Sequence, residues 1–336
     1  MYKLQRELVV TAGTASAFSR NLSSVKPEGS SFTYGIIAGK NQVNVIGWDQ
    51  KMEGMTHDAI VVRDPAVKDA TSGRMLTVTQ VKYCMCPNRI MPLLVVCTTS
   101  AALVYEWNGS TVLAYKELQK PGDSDDVCYT KGIDVVGDYI CVGTSLGTII
   151  VFTTKNNEVK VRTTLSEHKS PIVDLSSDQH LIMASVAMDG LIIVWDSLKP
   201  TYKIPTDYPI CCVGVYKTIV LAATVLGAIL IYDYKLGDLV CDISAHARPI
   251  NDIQIASSAG LALSVSEDSF VRVWKIGTVS PLEIECVFSE AVPNVPLTGA
   301  CFNDYVGNEF MVTGYDYNTL FCFVQTKTDD KKKKKK

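Results

Sequence analysis

Short apolar runs divided by Gly, Asp and Asn recur along the whole chain, and none shows the 3.6-residue spacing of a helix. Gly137-Asp138 precedes the run Tyr139-Ile-Cys-Val-Gly143, a turn follows at Ser145-Leu-Gly147, and Thr148-Ile-Ile-Val-Phe152 completes a β-branched hairpin. The same arrangement returns in Ile219-Val-Leu-Ala-Ala223 and Ala228-Ile-Leu-Ile-Tyr232 around Gly227. Runs this continuous, without polar alternation, suit strands covered on both faces.

Two segments align without a gap. Ser166-Glu-His168-Lys-Ser-Pro171-Ile172-Val-Asp174 and Ser244-Ala-His246-Ala-Arg-Pro249-Ile250-Asn-Asp252 share five residues, and each is followed by a second half with Ser, Asp and Trp at matching offsets. These are Ser185, Asp189 and Trp195 in one copy and Ser264, Asp268 and Trp274 in the other. Elsewhere the repeat is traced by an apolar strand, a tight turn and a second strand ending in an aromatic. The endings Trp48-Asp49, Tyr105-Glu106, Phe152-Thr153, Trp195-Asp196, Tyr232-Asp233, Trp274-Lys275 and Phe323 predict seven units.

With a His near the start of each clear unit and a Trp-Asp pair such as Trp195-Asp196 at its end, the chain resembles the WD-repeat family, whose units run ~40–45 residues. The resemblance implies an all-β, seven-bladed WD-repeat β-propeller. It also implies a role for two structural tetrads, His168, Ser185, Asp189, Trp195 and His246, Ser264, Asp268, Trp274: indole donates to Ser, Ser bonds His, and the turn Asp holds His. Leu146 and Leu226 stand where Asp is expected, with Phe152 and Tyr232 in place of Trp, so those blades are expected to rely on apolar packing. A closer resemblance, to one branch of the WD-repeat family, is carried by Asn21-Leu-Ser23, Phe32-Thr-Tyr-Gly35, Ala245-His-Ala-Arg248 and Val312-Thr-Gly-Tyr-Asp316. It implies an adaptor and brings no catalytic residues.

After Phe323 too little strand-like sequence remains for an outer strand of the last unit. The N-terminal Lys3-Leu-Gln-Arg-Glu-Leu-Val-Val10 is expected to supply it, closing the ring and removing an exposed edge. The expected organisation is a propeller over 1–327 and a disordered lysine-rich tail over 328–336. The long departures Gln50 to Thr77 and Gly277 to Pro296 should each carry an outer strand plus a surface loop.

Charge changes the picture in one respect. Six of the 32 basic residues form the run Lys331–Lys336, so against 35 acidic residues the rest of the chain carries a formal −9. An acidic body argues against a nucleic-acid partner. No apolar run approaches the ~20 residues of a membrane span, and the N-terminus does not read as a secretory signal. The 11 cysteines, odd in number and irregularly spaced, read as reduced core residues in a cytoplasmic protein. Cys84-Met-Cys86 and Cys211-Cys212 have no CxxC partner and His57, His168, His180 and His246 are scattered, so no metal site is expected. Asn21-Leu-Ser23 and Asn108-Gly-Ser110 match the glycosylation sequon and are expected to stay unmodified.

Each tetrad contains Ser, His and Asp, the ingredients of a hydrolase. The set occurs twice at nearly the same offsets, and no G-x-S-x-G elbow accompanies it, so a brace between strands is the expected role. No catalytic residue and no cofactor are expected. The expected function is a non-catalytic protein-interaction scaffold, with Lys169, Met188, Arg248 and Glu267 as candidate contacts beside the tetrads. The alternative is a microtubule- or cilium-associated subunit whose Lys331–Lys336 contacts tubulin tails or another anionic surface.

Overall fold

The computed structural model describes residues 1–326 apart from 12, 28, 50–54, 67–72, 120–126 and 293. Its strands form seven sheets of four antiparallel strands each. Blade 1 comprises Leu22–Val25, Phe32–Ala38, Gln42–Asp49 and Met55–Val61, and blade 2 comprises Val78–Cys84, Leu93–Thr98, Ala101–Glu106 and Val112–Glu117. Blade 3 runs through Thr130–Val136, Tyr139–Thr144, Thr148–Thr153 and Lys160–Ser166, and blade 4 through Ile172–Ser177, Ile182–Ala187, Leu191–Asp196 and Lys199–Pro205. Blade 5 is Ile210–Tyr216, Ile219–Thr224, Ala228–Asp233 and Asp238–Ser244, and blade 6 is Ile250–Ala256, Leu261–Ser266, Phe270–Val279 and Leu282–Ala291. Blade 7 takes Leu297–Phe302, Glu309–Gly314 and Thr319–Gln325 from the end of the chain and Tyr2–Val9 from its start.

The ring therefore closes as the sequence predicts. Tyr2 pairs with Gln325 and Val9 with Thr319, antiparallel, and the Tyr2 hydroxyl donates to the carbonyl of Gly307. The Tyr2 ring lies edge-on to Phe288 and Phe310, at 5.5 and 5.0 Å between centroids, so the first strand is anchored in the core between blades 6 and 7.

Apolar residues gather into seven clusters, and each cluster spans two neighbouring blades. This is why the strands read as continuous apolar runs: both faces of a blade meet another blade. The aromatic that ends each third strand, from Trp48 to Phe323, is buried in these clusters. Of the two long departures, Gln50 to Thr77 contributes the outer strand Met55–Val61, and Gly277 to Pro296 contributes Leu282–Ala291. The boundary expected at 327/328 and the lysine tail lie outside the described residues.

The innermost strands of blades 2 to 7 all carry an irregularity at the same place, one step after the first paired residue. Bulge residues there tie three of these blades to the next. Thr79 Oγ1 donates to the carbonyl of Thr130 at 2.6 Å, Cys211 Sγ to that of Ile250 at 2.8 Å and Asn251 Nδ2 to that of Leu297 at 2.8 Å. A bulge frees a side chain from the blade-facing alternation and re-aims it, here along the ring.

Candidate functional site

The face on which successive blades are joined also carries the turn between the second and third strands of every blade; it is called the upper face below. Both tetrads assemble there. In blade 4 the Trp195 indole donates to Ser185 Oγ at 2.9 Å, Ser185 Oγ lies 2.8 Å from His168 Nε2, and His168 Nδ1 lies 3.0 Å from Asp189 Oδ2. In blade 6 the corresponding distances are 2.9 Å for Trp274 to Ser264, 2.8 Å for Ser264 to His246 and 3.1 Å for His246 to Asp268.

In blade 4 the chain of donors fixes the tautomer. A serine oxygen that accepts from indole has its own proton left to give, so it donates to Nε2, and the ring must donate from Nδ1 to the carboxylate. In blade 6 Arg272 Nη1 also lies 2.8 Å from His246 Nδ1. Burial lowers the pKa of both rings, His246 to about 4 with the nearby Arg272 cation adding to the effect, so both stay neutral at pH 7. The carboxylates do more than hold His. Asp189 also accepts the backbone N–H of Lys169 and Leu191, and Asp268 those of Ala247 and Phe270. These bonds hold both Asp pKa values below the usual range against the opposing pull of burial. Ser185 and Ser264 are both 0% exposed, so both hydroxyls are closed off from solvent.

In blades 3 and 5, where the sequence expectation was apolar packing, and likewise in blade 2, the packing is joined by a polar device. A buried threonine at the end of the second strand caps the turn. Thr98 Oγ1 accepts from the N–H of Ala101 at 2.9 Å, Thr144 Oγ1 from Leu146 and Thr148 at 3.2 Å each, and Thr224 Oγ1 from Ala228 at 3.0 Å. The turn's backbone donors are thus satisfied without a turn Asp. With nothing to hold, Leu146 and Leu226 point outward and are 38% and 67% exposed.

The central channel holds an arrangement that sequence reasoning missed. Arg20, in the segment leading into blade 1, is 6% exposed and has a left-handed φ of 58°. Its guanidinium pairs with Asp174 of blade 4, lies 3.0 Å from Asp252 of blade 6, and donates to the carbonyls of Leu175, Val213 and Ile253. Burial works against the charge, but Asp174 and Asp252 outweigh it and raise the Arg20 pKa. Asp174 and Asp252 occupy the same register position, and each also accepts from the next blade, Asp174 from the N–H of Val213 and Asp252 from that of Ala300. The available signal was the repetition of Asp174 and Asp252 among the five aligned identities. A buried carboxylate found twice asks for a cation, but only the fold says which one.

Below Arg20 the channel widens to a cavity of about 440 Å³ lined by Ser24, Lys82, Asp134, Gln254, Asn303 and Tyr305 among others. Lys82 and Asp134 pair across blades 2 and 3 at 2.8 Å, and the Tyr305 hydroxyl donates to Gln179 at 2.9 Å from the opposite side of the ring. Among the described residues no group of three or more His, Cys, Asp or Glu is placed to hold a metal ion. Cys84-Met-Cys86 and Cys211-Cys212 stay apart as free thiols, and all eleven cysteines are unpaired. Burial pushes the thiols of Cys97, Cys301 and Cys322 up to about 12, which makes them inert packing groups at neutral pH. Among the described residues no helix is long and apolar enough to cross a membrane.

Of the candidate contacts, Lys169 and Arg248 lie in the connections into blades 4 and 6, and Met188 and Glu267 on the turns next to the tetrad aspartates. All four are exposed, Met188 to 68%.

Comparison with known proteins agrees with this architecture. A family model described as WDR54 matches residues 1–325. WD repeat-containing protein 54 of Homo sapiens is 31% identical over 335 residues, covering 94% of this chain and 97% of the human protein. The Mus musculus protein of the same name is 30% identical over 342 residues, covering 96% and 99%. A chain from the crystal structure of a mitotic checkpoint complex superimposes with a TM-score of 0.73 over 97% of this chain and 92% of its own length; at 14% identity that likeness speaks to the fold alone. Matched over nearly its whole length and folded into the seven blades that its repeats predict, the chain belongs to the WDR54 family of WD-repeat proteins.

Proposed function

We propose that this protein is a non-catalytic, cytosolic interaction scaffold that engages protein partners through its upper face. The carrying observation is how the polar groups are spent. The tetrads and the Arg20 cluster are buried and hydrogen-bonded internally, whereas the same face presents Leu146, Met188 and Leu226 to solvent beside Lys169, Arg248 and Glu267. Apolar tips on a rigid, closed ring, rimmed by charge, are the makings of a protein-binding surface. Membership of a WD-repeat family supports the same reading.

The test is proximity labelling in the native cell with three forms of the full chain: unaltered, Lys169→Glu with Arg248→Glu, and Leu226→Asp. The reading expects a defined set of neighbours to be lost with either upper-face variant while thermal stability is unchanged. Retention of every neighbour by both variants would remove the upper face from consideration. Turnover of a substrate that disappears in Ser185→Ala, with folding intact, would replace the scaffold by an enzyme.

The alternative reading, contact of Lys331–Lys336 with an anionic surface, rests on the sequence alone. It predicts microtubule co-sedimentation that weakens with salt and vanishes when the run is deleted.

A further inference from the structure

Each blade ends in an outer strand with one unpaired backbone edge, the kind of edge that invites another strand unless charge, proline or a bulge protects it. Most outer strands here are guarded. Lys116 stands on that of blade 2, Lys160 and Arg162 on blade 3, Lys199, Pro200, Lys203 and Pro205 on blade 4, and Lys3 and Arg6 on blade 7. The outer strand of blade 1 has His57 and Asp58.

Blades 5 and 6 differ in the balance of charge. Like that of blade 1, their outer strands carry no Lys, Arg or Pro, and they have no His either, only the carboxylates Asp238, Asp242, Glu283, Glu285 and Glu290. Among the described residues none of the five is in an ion pair; Lys275, which faces Glu285 in register, gives its ammonium to the carbonyl of Ala259. At the bulge of the outer strand, blades 3, 4 and 7 place Arg162, Thr201 and Gln5 and blade 2 the half-buried Leu113, whereas blades 5 and 6 place Val240 and Val287, 40% and 41% exposed. Leu239 adds a further exposed apolar side chain at 48%.

Blade 6 is also extended. Its third and outer strands, Phe270–Val279 and Leu282–Ala291, have ten residues each, while no other outer strand exceeds eight. The hairpin they form carries the edge Leu282–Cys286, ahead of the Val287 bulge, with Glu283 and Glu285 exposed along it.

We infer that the outer edge of blade 6 is a second docking surface, which takes an extended partner segment of alternating basic and apolar residues by strand addition. The segment's backbone would pair with Leu282–Cys286, its cations would face Glu283 and Glu285, and its apolar residues would meet Val287 and the neighbouring Leu239 and Val240. Main-chain pairing supplies affinity in this mode and the alternate side chains supply specificity. The surface is separate from the upper face, so either proposal stands or falls without the other.

The probe is a fluorescein-labelled eight-residue peptide alternating Lys and Val, titrated against the full chain. Expected results are saturable binding, at least tenfold weakening by Glu285→Lys with Val287→Lys, comparable weakening by N-methylation of alternate peptide bonds, and no change with Lys169→Glu on the upper face. Circular dichroism checks that the double variant folds; hydrogen exchange of the unaltered chain gives an independent readout, with amides of 282–286 slowed by the peptide. Equal binding of a Lys-Ser peptide, indifference to N-methylation, or no slowing at 282–286 would overturn strand addition. Deletion of Lys331–Lys336 that tightened peptide binding tenfold would name the chain's own tail as the occupant and overturn the external partner.

Discussion

Arg20 Nε lies 3.0 Å from Oδ1 of Asp252, a residue 232 positions later in the chain, so one side chain from the segment leading into blade 1 is tied to the inner strand of blade 6. With Asp174 of blade 4 as its other partner, it braces the ring across its own axis. Removing the cation leaves two carboxylates buried and uncompensated. Arg20→Met is expected to cost about 3–5 kcal/mol in urea unfolding. Adding Asp174→Asn and Asp252→Asn in that background should recover part of the loss; no recovery would mean that the two carboxylates are stabilised by other groups.

Serine is the hub of each tetrad. Ser185→Ala leaves the Trp195 N–H and His168 Nε2 without their partner in a buried site, an expected loss of about 1–3 kcal/mol, and Ser264→Ala should behave alike in blade 6. Thermal unfolding of the two single variants and the double variant checks this. The sites lie on different blades with no shared partner, so their effects should add to within about 0.5 kcal/mol.

Acid should weaken the fold through the same histidines. His246 has a pKa of about 4 in the folded chain against about 6.5 unfolded, so between these values the unfolded chain binds a proton that the folded chain refuses. Stability is therefore full above pH 6.5 and falls as the pH drops toward 4, by on the order of 3 kcal/mol from this ring alone. His168, shifted in the same direction, adds to the loss. Denaturant midpoints at pH 7, 6, 5 and 4.5 test the sign, and His246→Gln should flatten the curve.

Closure depends on the first strand. Deleting residues 1–10 bares the edge of Thr319–Gln325 and the apolar faces that Tyr2 and Leu8 cover, and is expected to shift the protein toward aggregate on size exclusion relative to the full chain. Tyr2→Ala keeps the strand but empties its anchor among Phe288 and Phe310, at an expected cost of about 3–5 kcal/mol by analogy with other buried aromatics.

A pair of glycines separates backbone conformation from close approach. Gly227 has φ 84° and Gly237 has φ 79°, but a Cβ at 227 would stand 2.1 Å from the carbonyl oxygen of His246, while one at 237 would have nothing within 4 Å. Gly237→Ala should cost about 1–2 kcal/mol, the left-handed penalty alone. Gly227→Ala should cost clearly more, because it also displaces the loop that carries His246; equal costs would show that the loop yields freely.

The number of blades and the use of the N-terminus to finish blade 7 were legible in the sequence from local signals: strand–turn–strand spacing, residues repeated at fixed offsets, and a last repeat too short for its outer strand. The partners within each tetrad were legible only through the resemblance to WD repeats. The upper-face candidates were legible only as positions next to those motifs. The threonine caps of blades 2, 3 and 5 were harder to see. Thr98, Thr144 and Thr224 look like ordinary strand residues until the turn closes over them.

By itself, then, the order of residues determined which segments become strands and how they group in fours, because backbone pairing and turn chemistry act over a few neighbouring positions. Only the tertiary structure decided that Arg20 meets Asp174 and Asp252, that the bulge residues of several blades reach the next, and that two of the outer edges present carboxylates and an exposed valine. Those facts depend on which side chains a closed ring brings to its axis and which it turns out to the rim. Curvature and closure set that geometry, and they arise from all seven sheets packing together.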